Sequence, residues 1–475
     1  MPSPVPVSLL PKSPLCPGNF VAEGKKDFTC RKRGGFLHFL FETLKLLLSG
    51  FKGIYHDVSG KSRGIMKFEK YAISEAIKKN LAQLGFKRPT DIQFKSIPPI
   101  LKGEDVLAIA QTGTGKTAAF AIPMIDRIHR KKGRQRVFGI TCIVLVPTRE
   151  LALQIGGVFA ALSKHTRVKS YPVIGGVEQD AQIARLQDGI DVLIATPGRM
   201  FDLIHQGFIR LDSLETLILD EADHMLDLGF IKDIQAVKRM LHRKHQTLFF
   251  SATINPEIKK LAFSQVKSTA IRISISPDDP VAANVSHAVL FVEMDDKRFF
   301  LERFIKEHWD SKILVFVRTR VRAERVAKAM ERVGIEALTI HGEKDQEERS
   351  LVLSRFKEGT VNLLIATDVS ARGIDIPDVN YVINYDLPDK AENYVHRVGR
   401  TGRGSHKGVA LSFCSTEEKE RLEEIRQFLN REIEVVKIGK NDYDFTLTLS
   451  SRKTGAEALI EEHEAWIRSR RRKKS

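Results

Sequence analysis

This sequence predicts two tandem α/β domains joined by a short linker, each a doubly wound parallel sheet with helices on both faces. Three observations carry that prediction. Short, nearly continuous apolar runs rich in β-branched residues alternate with helical stretches from about residue 100 onward, as buried parallel strands require. The runs fall into two sets. Between the sets a turn-forming cluster, Pro277, Asp278, Asp279 and Pro280, interrupts the pattern before it restarts.

In chain order the first set is DVLAIA at 105–110, ITCIVLVPT at 140–148, DVLIATP at 191–197, TLILDEA at 216–222 and TLFFSAT at 247–253. The second is KILVFV at 312–317, EALTIHG at 336–342, NLLIATD at 362–368, YVINYD at 381–386 and GVALSFC at 408–414. The boundaries that follow are a first domain at 66–272, a linker at 273–286, a second domain at 287–435 and a basic tail at 436–475. Ligands of such sheets sit beyond the carboxyl ends of the strands. The motifs fall there.

With 475 residues, 42% hydrophobic and 28% charged, the chain can bury two ordinary cores as a soluble protein. Its net charge of +17 calls for a polyanionic partner, nucleic acid or an anionic membrane surface. Residues 1–65 hold 10 positive and 4 negative charges and residues 452–475 hold 8 and 4, so both ends are basic. The apolar stretch at 34–51 follows Arg31, Lys32 and Arg33, but Glu42 and Lys45 interrupt it and it is too short to span comfortably. No integral membrane association is expected. Residues 1–65 read as an extension, disordered or not native, with Met66 beginning the native protein. Cys16, Cys30, Cys142 and Cys414 form no CxxC pair or zinc spacing, which points to reduced thiols in a reducing, cytoplasmic compartment.

AQTGTGKT at 110–117 lies between a strand and a helix, the context a phosphate-gripping loop requires. Gly113 and Gly115 let backbone amides turn toward phosphate oxygens, Lys116 reaches the β and γ phosphates, and Thr117 can hold Mg²⁺. Ala110 stands where the strict pattern has its first glycine. DEAD at 220–223 ends the fourth run. In a sheet that already has a phosphate loop, Asp220 can hold the metal, directly or through water, and Glu221 can polarise an attacking water.

HRVGRTGR at 396–403 places His396, Arg400 and Arg403 at helical spacing, so one face could present them together. Gly399 and Gly402 argue against an exposed basic helix and suit a tight turn pressed against another surface. Arginine inserted from a second domain would neutralise charge as the γ phosphate departs. Neither half of the chain is a complete nucleotide site.

The full motif series, from Phe68 to Arg403, resembles that of DEAD-box RNA helicases. The resemblance implies two RecA-like domains, ATP with Mg²⁺, and RNA as partner. It implies that Phe68 stacks on the adenine and that Gln93, in GFKRPTDIQ at 85–93, reads the base edge. Thr112, Gly113, Thr114, Gly115, Lys116 and Thr117 would hold the phosphates, and Asp375, in ATDVSARGID at 366–375, the ribose. Pro147, Thr148 and Arg149 in PTRELALQ, Gly176 beside Gly175, and Thr196 and Arg199 in TPGR match RNA-contacting loops. Arg349 and Thr367 do so in the second domain, where FVRT at 316–319 and Gln346 also match. Ser251 and Thr253 of SAT, with His396, would couple hydrolysis to RNA binding, and Arg400 and Arg403 match arginine fingers. HGEKDQEER and VSARGIDIPDV look most like the bacterial RhlE-type branch, and His224 stands where many members have arginine.

The implied activity is RNA-stimulated ATP hydrolysis with local unwinding of short duplexes, by a monomer with no base-reading aromatic series in its motifs. An ATP-gated RNA clamp or assembly platform with little unwinding remains the alternative. Ribosome-assembly or RNA-degradation proteins are family-level partners.

Overall fold

The computed structural model describes residues 67–111, 113–135, 138–241, 243–275, 281, 284–371, 376, 379–402 and 407–448. Two seven-stranded sheets organise them. The first contains β1 (Val106–Ala110), β2 (Cys142–Leu145), β3 (Ser170–Val173), β4 (Val192–Ala195), β5 (Thr216–Leu219), β6 (Gln246–Ser251) and β7 (Ile271–Ile275), in the order β3-β4-β2-β5-β6-β1-β7. The second contains β8 (Val285–Phe291), β9 (Ile313–Val317), β10 (Leu338–Ile340), β11 (Leu363–Thr367), β12 (Tyr381–Asn384), β13 (Gly408–Cys414) and β14 (Glu434–Val436), in the order β10-β11-β9-β12-β13-β8-β14. Every pairing is parallel.

The apolar runs form strands for the expected reason. β1, β2, β4, β5, β6, β9 and β11 are buried at every position, and their alternate side chains feed two cores, one on each face of each sheet. β3, β7, β8 and β14 lie outside the two expected sets. β3 and β14 are edge strands and β7 is half exposed, while β8 carries His287, buried against Tyr394 with Nδ1 2.9 Å from the phenol oxygen. None is apolar along its whole length.

Sheet pairing also reaches into the stretch read as linker, because Ile273–Ile275 pair with β1 and Val285 and Ser286 with β13. The start of the expected tail is structured as well. Val436 pairs with Leu290, and residues 440–448 form a helix. Tyr443 Oη donates to Asp296 at 2.7 Å and its ring packs 4.9 Å from that of Phe300. Arg303 Nη1 donates to Thr446 Oγ1 at 2.6 Å. The tail's final basic run, the extension at 1–65 and half of the linker lie outside the described residues.

Cys142 and Cys414 are buried thiols in β2 and β13, pushed up by burial to about 12 and about 11. Among the described residues no helix is long and apolar enough to cross a membrane.

Candidate nucleotide and RNA site

The phosphate loop leaves the carboxyl end of β1 and runs into the helix Lys116–Arg134. Gly113 and Gly115 have φ of +82° and +93°, a conformation that favours glycine. A Cβ on Gly115 would stand 2.4 Å from Gln93 Nε2. That amide donates to Gly115 O at 3.1 Å while Gln93 Oε1 accepts from Thr90 N at 3.0 Å, so Gln93 is fastened to the loop itself. Thr114 Oγ1 donates to Gln111 O at 2.7 Å. Lys116 is buried, and its Nζ has no hydrogen-bond partner among the described residues. A buried ammonium without an acceptor is costly, and a phosphate oxygen would relieve it.

Asp220 and Glu221 follow β5 and their environments drive them apart. Burial pushes the Asp220 carboxyl up to about 6 against the pull of Lys116. Burial would raise Glu221 too, but the contact and charge of His224, then Lys116 and Arg400, outweigh it and hold the group at about 2. His224 Nδ1 stands 3.5 Å from Glu221 Oε2, so the residue that departs from the family pattern acts on its own domain's carboxylate. Glu221 has φ of +51°, a strain on the order of 1–2 kcal/mol for a non-glycine residue.

Asp223 received no role from sequence reasoning, yet its Oδ2 accepts from Ala252 N at 3.1 Å, Thr253 N at 2.9 Å and Thr253 Oγ1 at 3.0 Å. Ser251 Oγ closes the turn by donating to Thr253 O at 2.8 Å. The signal was the tetrapeptide's own helix start, which turns its fourth residue toward the neighbouring strand β6.

In the second domain the helix Ala391–Val398 ends at Gly399, so Arg400 lies beyond the helix that carries His396. Gly402, at φ +67°, is pressed against its own domain, where a Cβ would stand 2.5 Å from Val285 Cγ2. Arg397 is fully buried: it grips both oxygens of Asp368 at 2.5 and 2.7 Å, donates to Asp386 O at 2.6 Å, and lies over the Phe316 ring. Arg400 donates from Nε to His396 O at 3.2 Å and lies close enough to Glu221 to favour its charge. Thr112, Asp375 and Arg403 lie outside the described residues. Phe68 is buried against Tyr71 and Phe86, so as placed it is core rather than an open stacking face.

The expected RNA residues gather at other strand ends. Pro147 and Thr148 follow β2, and Thr148 caps the helix Arg149–Leu162 by accepting from Leu151 N at 3.3 Å. The Arg149 guanidinium lies on Gly175–Gly176, with a Cβ on Gly176 falling 2.2 Å from Nη1. Thr196 opens the helix Pro197–His205, and Arg199 donates to Val177 O at 3.3 Å. Thr367 Oγ1, at the end of β11, donates to Ser370 Oγ at 3.1 Å.

Side-chain approaches among the described residues link the domains. Arg349 Nε donates to Glu150 Oε1 at 2.7 Å, Lys390 Nζ donates to Asp227 Oδ1 at 2.8 Å, and His396 Nε2 stands 3.9 Å from Asp223 Oδ2.

The DEAD/DEAH box helicase family model matches residues 90–261, and the helicase conserved C-terminal domain matches residues 296–405. The DEAD-box ATP-dependent RNA helicase CshA of Bacillus cereus is 38% identical over 367 residues, 77% of this chain and 69% of that one. ATP-dependent RNA helicase RhlB of a Shewanella species is 39% identical over 374 residues, 78% of this chain and 85% of the relative. This chain belongs to the DEAD-box ATP-dependent RNA helicases. S. cerevisiae Dbp5 bound to RNA and ADP BeF3 superposes with a TM-score of 0.72 at 28% identity, covering 81% of this chain and 99% of that one. Mss116 bound to ssRNA and UDP-BeF gives 0.73 at 26% identity, covering 80% and 81%.

In this DEAD-box helicase, strand order separates the residues expected to hold ATP from those expected to hold RNA. β5, β6 and β1 are neighbours, so Asp220, Ser251 and the phosphate loop share one half of the carboxyl edge. β3, β4 and β2 fill the other half and carry Gly176, Thr196 and Thr148. The cross-domain pairs respect the division. Glu150, after β2, meets Arg349, after β10, while Asp223, after β5, approaches His396, after β12.

Proposed function

We propose that this chain closes its two RecA-like domains over ATP and RNA, hydrolyses ATP at the cleft and separates short RNA duplexes locally. The observation that carries the reading is the buried Lys116 ammonium, without a hydrogen-bond partner among the described residues, set in the domain whose Glu221 already feels Arg400 of the other. Lys116 would take the β and γ phosphates, Glu221 would orient the attacking water as a full carboxylate, and Arg400, with Arg403, would neutralise charge on the departing phosphoryl group. Gln93, Thr112, Gly113, Thr114 and Gly115 would complete the nucleotide site, with Asp375 at the ribose; Phe68 would reach the base only by leaving its packing on Tyr71 and Phe86.

The site fits a divalent cation, because Asp220 is a carboxylate in a dry setting whose burial penalises its charge. Thr117 and Asp220 would hold Mg²⁺, directly or through water, and when bound it would spread the phosphates' negative charge. Pro147, Thr148, Arg149, Gly176, Thr196, Arg199, Arg349 and Thr367 would grip RNA through phosphate and sugar, which fixes position without reading sequence. The division of the carboxyl edge supports coupling: closure completes both sites at once, so ATP and RNA must favour each other's binding reciprocally. Ser251, Thr253 and His396 would connect them. The setting is cytoplasmic, the working unit a monomer, and the protein partners those of ribosome assembly or RNA degradation.

RNA-stimulated ATP hydrolysis by the purified chain, with strand separation on a short duplex, tests the reading. Lys116→Ala and Glu221→Gln should each abolish the stimulated turnover with circular dichroism unchanged. Undiminished turnover in either variant sinks the site assignment.

A further inference from the structure

On the first domain, at the far end of the helix that the phosphate loop begins, lies an open pocket of about 590 Å³. Lys102, Arg127, Arg130, Lys131 and Arg134 line it, and Asp126 is its only carboxylate. That carboxylate is already engaged, by Arg130 Nε at 2.8 Å and by Ser74 N at 2.6 Å. Three of the cations have internal work. Arg130 holds Asp126, Lys131 pairs with Glu215, and Arg127 donates to Gln246 Oε1 at 2.7 Å and to Thr216 Oγ1.

The other two do not. Lys102 and Arg134 are exposed and make no ion pair among the described residues. Offsetting helix dipoles is worth only about 0.3–1 kcal/mol per charge, and although Lys102 caps the helix Asp91–Leu101 and Arg134 ends the helix Lys116–Arg134, it does not explain the pocket's excess of cations. Arg127, Arg130 and Arg134 recur at helical spacing along one flank over about 10 Å, the rise of about three nucleotides of a helical strand at ~3.4 Å each. Arg127 and Arg130 keep their internal partners and add positive potential along the flank, while Lys102 and Arg134 are left to meet phosphate oxygens, a spread that suits a chain of phosphates better than a single small anion.

We propose that this pocket is a second contact for the RNA phosphate backbone, outside the groove formed at domain closure. The assignment rests on RNA being this chain's substrate. The pocket's lining on this helix, Asp126 to Arg134, lies about 15–27 Å along the helix axis from the phosphate loop. It therefore sits at the opposite edge of the sheet from Thr148, Gly176 and Thr196. RNA no longer than the groove does not reach it, and a longer or structured RNA does. The second contact raises affinity for extended substrates through the local concentration of a tethered strand.

The experiment uses the full chain and the double variant Lys102→Glu/Arg134→Glu, with binding read by fluorescence anisotropy in a non-hydrolysable ATP analogue across a salt series. One RNA has about 10 nucleotides, near one groove's site size, and the other is a hairpin several times longer. The variant should bind the short RNA within about twofold of the unaltered chain and the hairpin about tenfold more weakly, with a log–log salt slope shallower by about 1.5–2 for two lost phosphate contacts. Lys102→Arg/Arg134→Lys should retain hairpin binding. Unchanged hairpin affinity and slope overturn the proposal, and equal losses on both RNAs overturn it by placing the two cations in the main groove. If the unaltered chain binds neither RNA, the RNA reading falls and this contact with it.

Discussion

Arg349 Nε donates to Glu150 Oε1 at 2.7 Å, so a side chain assigned by resemblance to RNA also ties the second domain to the first. The two side chains are 10% and 8% exposed, dry enough that each charge needs the other when the domains meet. In an open form water would replace the partner. Arg349→Gln or Glu150→Gln therefore penalises closure rather than folding, by about 2–4 kcal/mol. Apparent RNA affinity in an ATP analogue should fall at least about tenfold, with each domain's thermal unfolding little changed. The swap Glu150→Arg with Arg349→Glu should recover part of the loss. Equal weakening with and without nucleotide, measured by anisotropy, would show that the pair does not report closure.

Gly176 gives a separate handle on the RNA half of the cleft. At φ +73°, a Cβ there would lie 2.2 Å from Arg149 Nη1 and 2.7 Å from its Cζ. Gly176→Ala forces the guanidinium off the loop and adds backbone strain of roughly 1 kcal/mol. RNA affinity should drop about tenfold, close to the effect of Arg149→Ala. Because both changes act through one guanidinium, the double variant should bind scarcely worse than either single one. Additive losses would mean that Gly176 and Arg149 serve RNA independently.

The three hydrogen bonds accepted by Asp223 make a prediction about coupling. Thr253→Ala removes one donor and keeps both backbone donors, so the loop stays anchored while its hydroxyl is lost. Asp223→Ala strands two backbone amides and should cost about 1–3 kcal/mol for each. Thr253→Ala should preserve most ATP turnover while strand separation falls about tenfold. Asp223→Ala should impair both. Parallel loss of turnover and separation in Thr253→Ala would remove the coupling role.

What the sequence made legible follows from the kind of physics each residue obeys. Continuous apolar runs are a property of the run, so β1, β2, β5, β9 and β11 could be read directly. β8 could not, because His287 breaks the run and is held by Tyr394, 107 positions away, and by Arg431. Backbone chemistry was equally local: Gly113 and Gly115 announced the loop. Side-chain fates were not. Arg397 and Arg400 sit three apart in one motif, yet Asp368 and Asp386 claim the first for the core and leave the second beside Glu221. Asp223 shows the same limit, since its partners belong to another strand.

The second domain's stability should depend on a pair that has no catalytic motif. Lys297 and Glu418 are buried and bonded to each other, and Lys297 Nζ also donates to Tyr385 O at 2.7 Å and Phe413 O at 3.2 Å. Glu418 accepts from Leu387 N at 3.1 Å and Ser415 N at 3.2 Å, which ties together the segments following β12 and β13. Burial would raise the Glu418 carboxyl, but the charge and hydrogen bond of Lys297 outweigh it and hold the group below its ordinary 4.5. A depressed carboxyl stabilises the fold fully above that ordinary value and loses the contribution as pH falls through its folded value. Glu418→Gln leaves a buried ammonium without its counter-charge, at a cost of about 3–5 kcal/mol. Calorimetry should show the second domain's melting lowered by roughly 10 °C, the first domain's unchanged, and a shallower acid-unfolding curve below about pH 4.5. Lys297→Met with Glu418→Leu should regain much of the loss, because apolar packing removes both desolvated charges together. If Glu418→Gln melts as the unaltered chain does, the ammonium is satisfied by the two carbonyls alone.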